Sequence, residues 1–404
     1  MSASSSPRSP RTPSLTATRH HELDWLRIIA FGVLVIYHTG MYYVNWDFHV
    51  KSPHAGTGLE PFMLLTAPWR MHLLFLISGA ATAFMWRRDS PPAAARLRER
   101  TGRLLLPLLF GMLVIVPPQS YLEVVQHGYG GSFVDFLRLY YSAYHGFCDG
   151  KGHCLLLPTW NHLWYLPYLA FYTALLWLLL RWRPQLLVRL ASATAPLLRG
   201  GLLLAVPVLW LLLTRLALRD HFPSTHALLD DWFMHAQYFS VFLFGALLAH
   251  TPHMLPRLQA WRWLALVLAL SGWATLISTP ASLRDAGGVL ALLRPAAVSL
   301  MQWTALVASL GFAHRHLRFD NAWRRYLSEA VFPVYLLHQT LIIVLARAVA
   351  PWALPPGLEA ALLVVATLAL SLLSYEAVRR VGWLRPLFGL KRQVPPGDAA
   401  MAGA

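Results

Sequence analysis

Charged residues and cysteine are scarce in this sequence. Only 13% of its 404 residues are charged, 18 are acidic, and two are cysteines. Hydrophobic residues make up 56% of the chain and the mean hydropathy is +0.47, which excludes an ordinary soluble domain. The length excludes a single-pass membrane anchor. These properties indicate an integral membrane protein with several spans.

The basic charge does not indicate a nucleic-acid-binding protein. The net charge is +16, but Lys and Arg occur in short patches between apolar runs, and no basic nucleic-acid-binding motif accompanies them. Such patches are typical of the loops of membrane proteins. The seventeen Trp and fifteen Tyr residues are typical of the aromatic belts at membrane interfaces.

The two ends of the chain differ in composition from its interior. Residues 1–21 are rich in Ser, Pro, Thr and Arg, and we predict a flexible cytoplasmic tail. They do not resemble a signal peptide, because the apolar run that follows is long and has no small-residue cleavage site. We predict a second flexible tail over residues 393–404. No linker interrupts the interior, so residues 22–392 are predicted to form one membrane domain.

Ten apolar segments are long enough to span a bilayer as helices. We therefore predict an all-α polytopic membrane protein with about ten transmembrane helices. Pro107, Pro117 and Pro118 in the third segment and Pro207 in the fifth predict kinks. The segments lie near residues 27–46, 62–86, 104–124, 162–180, 201–218, 232–249, 263–279, 290–313, 328–349 and 358–378.

The distribution of Lys and Arg orients these segments. The two tails and the alternate connections together hold 24 basic residues, whereas the intervening connections hold eight. Cytoplasmic loops carry the excess of Lys and Arg. We therefore predict a multi-pass membrane protein with both termini in the cytoplasm; if the membrane is a bacterial inner one, the intervening connections face an oxidising space.

Two costly polar residues share the first predicted span. Arg27 and His38 are eleven residues apart, and eleven residues at about 100° each return to within roughly 20° of the starting direction. The two side chains therefore share one helix face, about 16 Å apart along the axis. This places Arg27 at the cytoplasmic edge and His38 near the middle of the membrane. Ionisable residues inside a membrane are candidates for function.

Three more polar residues lie inside predicted spans. Arg70, about eight residues into the second span, either reaches outward to the interface or lines a cavity and meets an anionic group. Ser78, which precedes Gly79, either lines the same cavity or permits close helix packing. His338, about ten residues into the ninth span, is either a packed core histidine or a site residue. Its depth predicts that it meets His38.

Four arginines lie in the connection that leads into the third predicted span. Arg96, Arg98, Arg100 and Arg103 either mark the cytoplasmic side or form a surface that binds a phosphate-rich molecule. Arg100 and Arg103 are three residues apart at the start of a helix, so they face the same way.

Both cysteines lie in the connection between the third and fourth spans. Cys148 and Cys154 are on the predicted extracytoplasmic side, where a disulfide is favoured. His145 and His153 make a zinc site conceivable, but the spacing matches no standard zinc motif, and we expect no metal. Elsewhere, His226 and Asp231 have the H-x4-D spacing of soluble glycerolipid acyltransferases. Their predicted position is also extracytoplasmic, so we interpret that spacing as chance.

The sequence resembles acyltransferase family 3 of integral membrane proteins over nearly its whole length. The family hallmark, Arg/Lys-x10-His in the first helix, is matched by Arg27 and His38. The R-x-x-R motif is matched by Arg100 and Arg103, followed by Leu104-Leu-Leu-Pro107. The segment Phe75-Leu-Ile-Ser78-Gly79 is similar to the family's second-helix signature.

Within this family the sequence is most similar to the glucans biosynthesis protein C branch. The stretches that carry the similarity are His21–Arg27, Asn45–Ser52, Trp160–Trp164 and Val331–Gln339. The outer P-x-W motif of the family remains only as Pro158-Thr-Trp160. The W-S-L-x-x-E segment of the O-antigen-modifying branch is absent, as is an appended esterase-like domain.

The resemblance implies an enzyme that transfers acyl groups other than amino-acyl groups. The donor would be cytoplasmic acyl-CoA, without a bound cofactor, and the acceptor an extracytoplasmic carbohydrate such as a periplasmic glucan. Arg27, Arg100 and Arg103 would bind CoA phosphates, and His38 would act as general base or acyl carrier. Substrate-binding roles would fall to four residues, with Arg70 placed to steady an anionic acyl group such as succinyl. The four are Arg70, Ser78, Trp160 and His338.

Two other classes of protein are compatible with the same polar residues. A membrane transporter or proton-coupled carrier would use His38 and His338 as a relay. A carrier gives no reason for an arginine aligned with the histidine, and the two halves of the chain show no evident repeat. A non-catalytic assembly partner would tolerate the loss of His38. Beyond acyl-CoA and the carbohydrate, the lipid bilayer is the partner that we expect, and nucleic acid is not.

Overall fold

The computed structural model describes residues 20–86, 93–148, 152, 154–251, 253–284 and 288–392. Within these ranges the chain is helical and forms no strand, which confirms the predicted all-α class. The predicted tails lie outside the described residues, except for His20 and His21. The described residues form fourteen α-helices: α1 His21–Met41, α2 Glu60–Thr66, α3 Arg70–Trp86, α4 Ala93–Phe110, α5 Pro117–Gln126, α6 Phe133–Tyr141, α7 Tyr165–Trp182, α8 Leu186–Thr194, α9 Leu202–Leu218, α10 Trp232–Leu248, α11 Met254–Ser278, α12 Leu293–His316, α13 Ala322–Val349 and α14 Pro356–Arg380.

Seven helical runs in the described part of the chain are long and apolar enough to cross a membrane. An eighth is added if the bent pair Ala93–Ile115 and Pro117–Gln126 is counted as one span. α9 and α10 are apolar but only 17 residues long. Each of the ten predicted segments overlaps one of these helices. The count of ten spans and the cytoplasmic position of the termini stay predictions.

The third predicted segment bends where its prolines predict a bend. Pro107 lies inside α4, which continues into the π-helical turn Gly111–Ile115, and Pro117 and Pro118 open α5. The two parts meet at 41°. Proline is tolerated in the first turn of a helix, because the N–H that it lacks has no partner there in any case.

α1 begins and ends earlier than the predicted segment 27–46. It spans His21–Met41, so His38 lies three residues before the helix end rather than in its middle. Two acids, Glu22 and Asp24, lie in the first turn. Acidic side chains there interact favourably with the helix dipole, which explains why the helix starts before the apolar run.

α1 and α13 run parallel and begin at the same end of the bundle. Arg324 in the first turn of α13 pairs with Asp24 in α1, and His338 in α13 contacts His38 near the end of α1. Arg324 also donates a hydrogen bond to Asp320, and this bond lowers the pKa of the Asp320 carboxyl. These contacts fix the rotation of α1 against α13.

α3 and α10 approach each other through two glycines. A Cβ on Gly79 would lie 1.9 Å from the Phe242 carbonyl oxygen, and a Cβ on Gly245 would lie 1.9 Å from the Leu76 carbonyl oxygen. Only glycine permits such an approach at these two positions. Gly79 therefore permits close helix packing, one of the two roles predicted for the Ser78-Gly79 pair.

Candidate active site

The structure brings His38 and His338 into direct contact. The two rings are nearly coplanar, at 7°, and the Nδ1 of His38 lies 2.8 Å from the Nε2 of His338. His338 is fully buried, whereas His38 keeps part of its surface accessible. A partly accessible imidazole is therefore supported by a buried one.

The hydrogen bonds of this pair fix its tautomers when both rings are neutral. The Nδ1 of His338 lies 2.7 Å from the Tyr335 carbonyl oxygen, which only accepts, so this nitrogen carries the proton. The Nε2 of His338 then accepts from the Nδ1–H of His38. The lone pair of His38 is left on Nε2, and no described residue hydrogen-bonds that atom. His38 therefore presents a proton-accepting nitrogen.

A third histidine supports the ring of His338 from the side. The His162 ring is nearly perpendicular to that of His338, with centroids 5.1 Å apart. His162 donates from Nε2 to the Leu336 carbonyl oxygen at 3.1 Å and accepts at Nδ1 from Gln119 at 3.2 Å. Both of its nitrogens are thus occupied, which makes His162 part of the support rather than a free base.

Arg70 lies beside the histidine pair. Its guanidinium carbon is 3.2 Å from the centre of the Tyr37 ring, whose centroid is 5.9 Å from that of His38. The Nε and Nη1 atoms of Arg70 are buried without a hydrogen-bond partner. Arg70 is the first residue of α3 and lies within the candidate span Glu60–Trp86. The helical run breaks between Thr66 and Arg70 around Pro68, as helices commonly do before proline.

A cavity of about 840 Å³ lies at the other end of α1, beside the starts of α4 and α13. We call it the basic cavity, because its cationic residues outnumber its two acids, Glu99 and Glu329. Its volume lies within the usual range for ligand sites. The structure thus places all three predicted CoA-binding arginines, and Ser78, around one space. The cationic lining residues are Arg27, Arg96, Arg100, Arg103, Arg325, Arg385 and Lys391.

Two arginines of the basic cavity, Arg27 and Arg100, keep N–H donors unused. Arg27 donates from Nη2 to the Ser328 carbonyl oxygen at 3.1 Å, and Arg100 donates from Nη2 to the Ser78 carbonyl oxygen at 3.3 Å. The Nε atoms of Arg27 and Arg100 are buried without a hydrogen-bond partner. Arg103 forms an ion pair within α4 at 3.2 Å. Arginine has five N–H donors, so surplus donors at this position suit phosphate oxygens.

Two tyrosines connect the basic cavity to the histidines. Tyr165 lines the cavity, and its hydroxyl is 2.6 Å from the Ser78 hydroxyl. The Tyr165 ring contacts the Tyr335 ring, with centroids 6.1 Å apart, and the Tyr335 ring stacks on His338 at 5.9 Å. Both tyrosines are buried. The aromatic wall between the two regions is therefore continuous.

Comparison of the sequence with models of known protein families finds one match. The sequence model of acyltransferase family 3, described as an acyltransferase domain, matches residues 20–376. This range contains both histidines, Arg27 and the R-x-x-R pair. The chain belongs to acyltransferase family 3. No curated protein and no solved structure matches it.

Membership of acyltransferase family 3 makes the protein a membrane acyltransferase and confirms the predicted enzyme class. The transporter alternative is not favoured, and a non-catalytic assembly partner does not fit an acyltransferase family. The match extends to the whole family and does not single out the glucans biosynthesis protein C branch. That branch stays a prediction.

In this acyltransferase family 3 protein, Trp160 and Asp231 both hydrogen-bond to the backbone of His226. Trp160 donates from its ring N–H to the His226 carbonyl oxygen at 3.0 Å, which holds the segment between α9 and α10. Burial lowers the pKa of the His226 imidazole, and its backbone N–H donates to Asp231 at 3.1 Å. That the H-x4-D spacing arises by chance stays a prediction.

Cys148 and Cys154 are joined in a disulfide. His153 lies outside the described residues. Among the described residues, no group of three or more His, Cys, Asp or Glu side chains is arranged to hold a metal ion.

Sequence reasoning missed several residues of the family 3 site. His162 lies inside the stretch Trp160–Trp164, which carries the family resemblance. A histidine at that position could therefore have been predicted as a site residue. Arg385 and Lys391 were counted as cytoplasmic charge only. Nothing local in the sequence predicts that the segment after α14 folds back against the start of α13, where Arg385 pairs with Glu329 at 3.1 Å.

Proposed function

We propose that this protein is a membrane O-acyltransferase that moves an acyl group from cytoplasmic acyl-CoA to a hydroxyl of an extracytoplasmic carbohydrate. The observation that carries the proposal is the arrangement at the two ends of α1. A basic cavity lies at one end, and a histidine with an available nitrogen lies near the other. The resemblance to the glucans biosynthesis protein C branch favours a periplasmic glucan as acceptor and succinyl or acetyl as the acyl group. The orientation in a bacterial inner membrane follows from the distribution of Lys and Arg.

In this proposal the basic cavity binds the CoA part of the donor. CoA is rich in phosphate, and arginine binds phosphate oxygens through paired N–H donors. Arg27, Arg100 and Arg103 converge on the cavity from α1 and α4. The thioester end of the donor would extend along Tyr165 and Tyr335 toward the histidines. No separate cofactor is required.

His38 is the proposed general base. Its Nε2 takes the proton of the acceptor hydroxyl while the acceptor oxygen bonds to the thioester carbonyl carbon. The carbon–sulfur bond then breaks, and the proton passes from His38 to the departing CoA thiolate. The products are an acylated carbohydrate and free CoA. The fixed tautomer of the histidine pair supports this role, because it directs an unprotonated nitrogen away from His338, and an acyl carrier would use the same nitrogen.

The remaining predicted residues have supporting roles in this proposal. His338 is a positioning residue, since it acts through His38. Arg70 has unused buried donors close to the reaction centre and would steady a carboxylate on a succinyl group. Ser78 lines the donor path through its contact with Tyr165. Trp160 would shape the acceptor side through its hold on the segment between α9 and α10.

The test is the acyl content of periplasmic glucans and envelope polysaccharides, measured by mass spectrometry in a deletion strain. The strain is complemented with the wild type, His38→Ala, Arg27→Ala, or the control His253→Ala. His253 is exposed and its side chain makes no capping hydrogen bond, so it matches the histidine substitution without touching the site. We expect decoration with wild type and His253→Ala, none with His38→Ala, and less with Arg27→Ala.

Expression of each variant in the membrane fraction must be equal. Unchanged acyl decoration with well-expressed His38→Ala would overturn the catalytic assignment. If the deletion strain loses acyl groups from lipids but not from any carbohydrate, the assignment of a carbohydrate acceptor is overturned.

A further inference from the structure

A second polar cavity lies at the end of α3 opposite the basic cavity. Its volume is about 380 Å³. α3 begins at this cavity with Pro68 and His72 nearby, and the same helix reaches the basic cavity with Ser78 and Met85. The ends of α9 and α11 and the starts of α10 and α12 surround it. The two cavities therefore lie toward opposite ends of the bundle.

Arg215 is the residue of this cavity that lacks a charged partner. Only 8% of its surface is exposed, its guanidinium carbon is 5.2 Å from the centre of the Phe233 ring, and no carboxylate among the described residues forms an ion pair with it. It donates from Nη2 to the Gln302 amide oxygen at 3.0 Å, and its Nε is buried without a hydrogen-bond partner. A buried cation without an anion is costly, so its retention needs a compensating group.

The rest of the lining increases this positive charge. Arg219 and Arg294 also line the cavity, and among the described residues no Asp or Glu does. Arg294 donates to the Leu276 carbonyl oxygen at 3.0 Å, which anchors it at the end of α11. The cavity thus presents arginine from α9 and from α12.

Neutral polar groups connect the cavity to the reaction centre. Gln302, which accepts from Arg215, lies 3.1 Å through its Nε2 from the Nε2 of His72. His72 is two residues after Arg70, whose guanidinium packs on the ring of Tyr37 beside the histidine pair. The hydrogen-bonded chain from Arg215 through Gln302 to His72 therefore ends on the same turn of α3 that carries Arg70.

We propose that this second cavity binds a phosphate or carboxylate group carried by the carbohydrate acceptor. The inference rests on the proposed function, since it names the acceptor class for that reaction. Arginine suits both groups by its fork of N–H donors. Phe233 and Tyr238 in the same lining supply apolar surface for a sugar ring. The site is separate from the basic cavity and so leaves the donor site free.

The test uses purified full-length protein in detergent, with glucose 6-phosphate and glucose as probes. The variants are Arg215→Gln, Arg215→Lys and the control Arg347→Gln, an exposed arginine in the last turn of α13. We expect glucose 6-phosphate, but not glucose, to raise the melting temperature of the wild type and of Arg347→Gln. Arg215→Gln should lose this shift and Arg215→Lys should keep part of it, because a ligand that binds only the folded protein stabilises it.

Kinetics with acyl-CoA give the second arm. Arg215→Gln should raise the KM for a phosphate-bearing oligosaccharide about tenfold or more, the loss expected for a charged hydrogen bond, and leave the KM for acyl-CoA unchanged. Equal melting shifts and equal KM values in wild type and Arg215→Gln would overturn the inference while leaving acyl transfer intact. Arg215-dependent binding without transfer to any carbohydrate would instead overturn the proposed function and, with it, the acceptor assignment.

Native mass spectrometry separates the acceptor from a lipid headgroup as the source of the anion. If wild type carries a phospholipid that Arg215→Gln loses, and glucose 6-phosphate does not displace it, the cavity holds a lipid and the inference is overturned. Displacement of any bound lipid by glucose 6-phosphate supports it.

Discussion

The histidine pair and the basic cavity differ in how completely their polar groups are hydrogen-bonded. At the histidine pair every ring nitrogen except the Nε2 of His38 has a fixed partner, down to the Tyr335 carbonyl. In the basic cavity, seven cationic residues face two acids, and buried N–H groups of Arg27 and Arg100 remain unpaired. One region is hydrogen-bonded to near completion, whereas the other holds unused donors around an open volume.

The difference corresponds to what each step of the proposed reaction requires. Proton transfer needs one nitrogen in one orientation, and a directed chain of hydrogen bonds supplies that orientation before the substrate arrives. Phosphate binding needs donors that the protein has not already satisfied, since a donor that is already paired gains little from a ligand. Substitutions in the two regions should therefore have different kinetic consequences.

The largest effect is expected from His38→Ala. Removing the general base should lower the turnover number by roughly 10²–10⁴-fold, the usual contribution of such a group, with the affinity for CoA unchanged. The measurement is acceptor-dependent release of CoA thiol by purified protein, with CoA binding followed by calorimetry. An acyl group found on His38 after incubation with acyl-CoA alone would replace the general base with an acyl carrier.

His338→Ala should lower the turnover number by roughly ten- to hundredfold, the cost of a lost buried hydrogen bond to the reacting group. Without His338, both nitrogens of His38 are free to carry the proton, so only part of the population presents an unprotonated Nε2. His338→Gln should recover activity, because its amide oxygen accepts the Nδ1–H of His38. The KM for acyl-CoA should not change in either variant. Equal activities of the Ala and Gln variants would show that His338 does not act through this hydrogen bond.

The basic cavity should respond through KM rather than through turnover. Arg100→Gln should raise the KM for acyl-CoA about tenfold and leave the turnover number near that of the wild type. Arg98→Gln is the matched control, because Arg98 is exposed on the same helix and does not line the cavity. If both variants raise KM equally, the arginines act as a diffuse positive surface and not as a site.

The sequence predicts most of the helices but only part of the site, because helices depend on local composition whereas the site depends on contacts between distant segments. Apolar length and proline positions depend on local composition, so each of the ten segments overlaps a helix and the bend at Pro117 is confirmed, although only seven or eight helical runs in the described part of the chain are long and apolar enough to span a membrane. The spacing of Arg27 and His38 predicts that both face one neighbour, and both contact α13. Acids in the first turn of α1 and Pro68 before α3, rather than hydropathy, account for where these two helices begin.

Contacts between distant segments are what the sequence could not provide. The position of Arg385 beside Glu329 depends on how the chain turns after α14, and no local pattern encodes that turn. The unpaired state of Arg215 is likewise a property of its neighbours in space. A count of charges by side treats such arginines alike, whether they face water, lipid or a cavity.

The smallest effect is expected from Trp160→Phe. This substitution distinguishes a structural role of the indole N–H from direct contact with the acceptor. The substitution keeps an aromatic ring but removes the N–H that donates to the His226 carbonyl oxygen. One such bond contributes about 1 kcal/mol, so kcat/KM for the acceptor should fall by no more than about fivefold. The melting temperature should fall slightly for the same reason. A much larger loss in kcat/KM at an unchanged melting temperature would mean that the indole N–H contacts the acceptor directly, and the active region would then extend from His38 to the segment between α9 and α10.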